Sequence, residues 1–189
     1  MGWKRKKAQI WVETVLYILV ALALIALVLA LVMPKINQRK ERIIVEQSIA
    51  ALSVFDAKIA EAIDRGYGNI RKVPQFKFTR GQLLINTTGD EIVFLIDDLT
   101  APYSEPGVEI AQGPIKLKTT KRASSYLVTL RLDYHSPPIA NITFQGRDDV
   151  VKKFPRTSKP YDFTILNNGT DPSNPDSLPQ IDITESSSL

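Results

Sequence analysis

The sequence predicts an α+β protein: a long N-terminal transmembrane and amphipathic helix, then an antiparallel β-sheet or small β-sandwich head. Three observations carry this reading. An uncharged apolar run fills Val15 to Met33, and apolar residues then recur at helical spacing from Val45 to Ile63. After Gly66 the period shortens to two, in short runs of β-branched and aromatic residues parted by turn signals. The 189 residues amount to about one domain plus an appendage.

The apolar run, VLYILVALALIALVLALVM, is 19 residues long and holds no charge, Gly or Pro. A helix crossing a hydrocarbon core needs about 20 such residues, and Ile10, Trp11 and Val12 complete the span. Lys4, Arg5, Lys6 and Lys7 precede it with no acid among them, while Glu41 interrupts the basic flank of Lys35, Arg39, Lys40 and Arg42. That asymmetry puts the N-terminus in the cytoplasm and the C-terminal domain outside the cell, as a single-pass protein. Three Asn-x-Thr sequons, at Asn86, Asn141 and Asn168, agree with an extracellular head and make these asparagines glycosylation candidates. A conventional secretory signal fits less well, because its apolar core is about 7–15 residues and ends at a small-residue site. Here the run leads straight into Met33-Pro34-Lys35.

Glu13 is the anomaly, a carboxylate about one turn inside the apolar region. At the bilayer centre a charge costs on the order of 2.5–3.5 kcal/mol, and less near the interface. One reading makes it an interfacial acid in the first helical turn, where the helix dipole favours it by about 0.3–1 kcal/mol. The other gives it a partner.

The order basic cluster, Ala8, Gln9, three residues, Glu13 and an unbroken apolar helix resembles the class III signal peptide of archaeal type IV pilins. The resemblance covers Met1 to Met33. It implies that a prepilin peptidase recognises Lys6 and Lys7 and cuts between Ala8 and Gln9, so that Glu13 is the fifth mature residue. Gly is the commoner residue before the cut, and Ala8 departs from it. The resemblance further implies that Glu13 pairs with the amine of Gln9, its own or a neighbour's. Opposite charges in a poorly solvated bundle attract strongly, and either alone is costly. The expected partners are the membrane, the peptidase, and copies of the chain or related pilins met through the N-terminal helix. The expected organisation is a basic leader over 1–8, a transmembrane helix over 9–33 and an amphipathic continuation over 34–66. A β-rich extracytoplasmic head over 67–169 and a loop, short strand and flexible tail over 170–189 follow.

Pro34 is read as a bend, not a stop, because the helical pattern resumes. Val45, Ile49, Leu52, Phe55, Ile59 and Ile63 form one stripe, with Glu46, Lys58, Glu61 and Asp64 off it. Gly66 closes the helix. Continuous from Ile10 to Arg65, it would extend roughly 84 Å. Eight strands are expected over 73–79, 82–86, 91–97, 115–119, 126–134, 139–144, 161–166 and 181–184, with a turn at Thr88-Gly89-Asp90.

Chemistry is sparse. There are 24 Lys and Arg against 20 Asp and Glu, no Cys and one His. Disulfides, thiolate metal sites, cysteine nucleophiles and multi-His clusters are excluded, and His135 alone makes a Ser-His-Asp site unpromising. Asp171, Asn174 and Asp176 sit beside prolines as ordinary turn formers, without an EF-hand pattern. Asp97, Asp98, Arg147, Asp148 and Asp149 read as solvated loop charges. Lys116, Lys118, Lys121 and Arg122 lack interleaved aromatics and read as protection of an edge strand. No catalysis, cofactor, metal or nucleic-acid partner is expected. The reading is a pilin-like subunit of an archaeal cell-surface filament; the alternative is a membrane-anchored extracytoplasmic binding module.

Overall fold

The computed structural model describes residues 3–171, 173–174 and 177–186, with side chains from Trp11 onward. One helix, α1 (Trp3–Asp64), contains Pro34 within its length, so the proline does not stop it. Contacts divide the chain into a first unit up to Lys40 and a second from Glu41.

In the first unit every residue from Trp11 to Lys40 is exposed, including Leu16, Ile18, Leu24, Leu27 and Leu31. A helix in water buries an apolar stripe; one that is apolar all round suits a non-aqueous surrounding. Among the described residues α1 is the one helix long and apolar enough to cross a membrane.

The second unit is α+β, as the periodicities predict. Ten strands follow the helix: β1 (Ile70–Phe76), β2 (Gln82–Asn86), β3 (Glu91–Leu99), β4 (Glu109–Gln112) and β5 (Ile115–Lys121) in the first half. The second half adds β6 (Tyr126–Asp133), β7 (Asn141–Phe144), β8 (Val151–Pro155), β9 (Tyr161–Asn167) and β10 (Gln180–Ser186). They form a four-stranded sheet, β1-β9-β10-β7, and a six-stranded sheet, β4-β5-β6-β3-β2-β8. The larger sheet is antiparallel throughout; in the smaller one β7 and β10 run parallel.

Each of the eight expected strands is present, and β4 and β8 are additional. The first begins at Ile70 and ends at Phe76, earlier than expected, and its register shifts between Val73 and Phe76. Pro74 and Gln75 occupy that bulge, on an edge strand where a missing N–H is tolerated. A second bulge, between Ile96 and Leu99, takes in Asp97 and Asp98, which therefore lie within β3 and not in a loop. The basic run of β5 does not guard an edge either. β4 pairs outside it, and Lys116 instead bonds Asp133 on β6 at 2.7 Å. The last strand, β10, lies inside the smaller sheet, between β9 and β7.

The stripe of α1 forms one wall of the core. Val45, Leu52, Phe55, Ile59 and Ala62 are fully buried and Ile49 nearly so, while Ile63 is half-buried at the rim. All seven phenylalanines of the chain join one edge-to-face network with Tyr161. Phe55 of α1 meets Phe76 and Phe163 of the smaller sheet, and Phe154 of β8 joins Phe163 to Phe144. Each such ring contributes apolar burial of about 1.5–3 kcal/mol, plus about 0.5–1.5 kcal/mol per favourable ring pair.

The helix end is closed by side chains. Gly66 takes a left-handed φ of 78° and donates its N–H to Ile63 O, and Asn69 Nδ2 donates to the carbonyls of Arg65 and Gly66. Asn167 is buried in β9 and donates Nδ2 to Ala62 O at 2.9 Å, joining the sheet to the last turn.

Candidate functional site

Two regions gather the residues singled out in the sequence. The first is the start of α1. Lys6, Lys7, Ala8 and Gln9 lie on its helical backbone, and their side chains fall outside the described ones. Glu13 is the first acid of the chain and sits among exposed apolar neighbours, accepting a hydrogen bond from the Tyr17 hydroxyl at 3.3 Å. The helix begins at Trp3, with no acid in its first turn. Glu13 is thus more than two turns inside the uncut helix, beyond the reach of the terminal dipole. The reading of Glu13 as a first-turn acid therefore does not hold for the chain with residues 1–8 attached.

The second region is one end of the head. Asn141 at the start of β7 and Asn168 after β9 line one open basin of about 800 Å³, together with Asp90, His135, Asp148 and Gln180. The hairpin between β2 and β3 supplies Asp90, with Asp90 in left-handed conformation at φ 49°. Its Oδ1 accepts the Ile142 N–H at 2.8 Å, which fixes the entry to β7, and its Oδ2 lies 3.5 Å from His135 Nδ1. His135 is an exposed loop residue, as its surroundings in the sequence indicate. No signal in the sequence brings Asp90 to Asn141, because their meeting depends on the chain crossing from the larger sheet to the smaller.

Asn86 does not line this basin. It ends β2, opposite Glu91 on one side and Val151 on the other, and its Nδ2 donates to Glu91 Oε1 at 2.8 Å.

The Asp171 turn closes on itself. Asp171 Oδ1 accepts from the Ser173 N–H, and Ser177 Oγ receives the Asp171 N–H; Asp176 lies outside the described residues. Among the described residues no group of three or more His, Asp or Glu side chains is placed to hold a metal ion.

At the end of β6, Asp133 pairs with Lys116 of β5 at 2.7 Å. Partial burial would raise its pKa, but the Lys116 ammonium and the N–H groups of Ser136 and His135 outweigh that and hold it below the usual carboxylate range.

A long N-terminal apolar helix followed by a β-sheet head is the class of protein these observations define. No family model, no curated protein and no solved structure matches the chain.

Proposed function

We propose that this chain is a pilin-like structural subunit of an archaeal cell-surface filament, made as a precursor and cut between Ala8 and Gln9 by a prepilin peptidase. The observation that carries the reading is the two-part character of α1. Its first part is apolar and exposed on every side, and its second part buries one stripe in the head. A plain membrane anchor needs only the first; a subunit spine needs both. The position of Glu13 adds support. After the cut it becomes the fifth residue, in the first turn, where both the dipole and the amine of Gln9 favour it. Its partners are then the membrane, the peptidase, and copies of itself or related pilins through the N-terminal helix, with the head extracellular and no residue catalytic.

Electron microscopy of the native cells, with and without the gene, tests this. Loss of a surface filament on deletion, with the chain recovered in sheared filaments, is the expected result. A protein found only in membranes, in cells whose filaments are unchanged, would contradict it.

The basin beside Asn141 and Asn168 favours a second reading, an anchored extracytoplasmic binding module. That reading predicts a small ligand retained by the solubilised head and no filaments.

A further inference from the structure

The three sequons are alike in sequence, but the fold presents them differently. Attaching a glycan to asparagine requires an available side-chain amide and a Ser or Thr hydroxyl two residues on, at a surface site. At Asn86 the amide is committed: Nδ2 is bonded to Glu91, and Oδ1 is enclosed without a partner. At Asn141 the second element is hidden. Thr143 is 1% exposed, and its hydroxyl donates to Asp182 Oδ1 at 2.9 Å, inside the paired strands β7 and β10. Reaching it would mean peeling β7 away from β10.

Asn168 differs on both counts. It leaves β9 in a turn held by its neighbours: Gly169 donates its N–H to Asn167 Oδ1 at 2.7 Å, and the backbone N–H of Asn168 donates to Gln180 O at 2.8 Å. The backbone is fixed, while Asn168 and Thr170 both line the open basin, and neither the Asn168 amide nor the Thr170 hydroxyl has a hydrogen-bonding partner among the described residues. Gly169 takes a φ of +77°, and a Cβ there would meet the Tyr67 ring at 3.0 Å, so the middle residue of this sequon suits glycine.

We infer that Asn168 is the one N-glycan acceptor of the folded head, and that Asn86 and Asn141 are not. The donor is a lipid-linked oligosaccharide presented outside the membrane, so the inference rests on the extracytoplasmic placement of the head. Asn168 Nδ2 forms a bond to the anomeric carbon of the first sugar. The bond from that carbon to the lipid phosphate oxygen breaks, the lipid phosphate leaves, and the amide proton passes to a base of the transferase.

Glycopeptide mass spectrometry of the protein from its native cells tests this, alongside labelling of intact cells with a membrane-impermeant amine reagent. The glycan is expected on the Asn168 peptide alone, lost in Asn168→Gln and Thr170→Ala, and kept in Thr170→Ser, Asn86→Gln and Asn141→Gln. A glycan on Asn86 or Asn141, or an unmodified Asn168, overturns the inference whatever the reagent reports. The labelling then shows whether the extracytoplasmic placement falls with it.

Discussion

Tyr134, a residue 4% exposed just beyond the end of β6, donates its hydroxyl to Asp56 Oδ1 on α1 at 2.8 Å. This bond ties the six-stranded sheet to the helix 78 residues earlier in the chain. Burial first, and then the Asp56 carboxylate, push the Tyr134 phenol far above its ordinary value. In the unfolded chain the phenol ionises near pH ~10, so above that pH the unfolded state sheds a proton that the folded state retains. The stabilisation is therefore fully present below pH ~10 and is lost as pH rises beyond it. Tyr134→Phe is expected to cost about 1–3 kcal/mol at neutral pH. It should also make stability fall less steeply above pH 10 than in the parent, measured by denaturation of the full chain in detergent. Parallel alkaline limbs for the two proteins would remove the role given to this bond.

Glu41 holds the beginning of the second unit. Its Oε2 accepts from both the N–H and the hydroxyl of Thr100, at 2.9 and 2.8 Å, and Arg80 lies 3.5 Å from Oε1. Glu41→Ala removes the acceptor for these donors, and because Thr100 is exposed and water replaces it, the expected cost is about 0.5–1.5 kcal/mol. Hydrogen exchange at the Thr100 amide should quicken in the variant, while exchange in β9 and β10 stays near that of the parent.

The acid limb should reflect Asp133. Its folded pKa is depressed, so the stabilisation is present above the ordinary aspartate range and is lost as pH falls through the lower folded value. Asp133→Asn should flatten the stability profile below about pH 4. At neutral pH it should cost roughly 1 kcal/mol, since Lys116 keeps substantial contact with water.

Two glycines separate conformation from space. Gly81 sits at φ 94°, and a Cβ there would overlap the carbonyl oxygen of Leu95; Gly66, at φ 78°, has open space around it. Gly66→Ala should cost about 1–2 kcal/mol, the left-handed penalty alone. Gly81→Ala should cost more than that and lower the melting temperature further. Equal losses would show that the overlap is relieved at no cost.

What the sequence discloses is what alternation and helical spacing can carry. The stripe from Val45 to Ile59 and the alternation of β6 are legible because one face of each is buried. β4 is not, because all four of its residues are exposed and leave no pattern. In β8 only Phe154 is buried, so VKKFP looks like a basic loop until β2 is seen beside it. The parallel pairing of β7 with β10 is equally hidden, since it is set by the path of the chain and not by either strand's residues. For the sites, a sequon announces itself, but the burial of Thr143 and the engagement of Asn86 depend on partners 39 and 5 residues away, respectively.

Mass spectrometry of the native N-terminus tests both the cut between Ala8 and Gln9 and the pairing of Glu13 with the amine it frees. The mature chain is expected to begin at Gln9, with Glu13 fifth, and a Glu13→Gln variant is expected to be cut normally but to be depleted from filaments. A native chain that still carries residues 1–8 would leave Glu13 without its amine and rule out both the cut and the pairing.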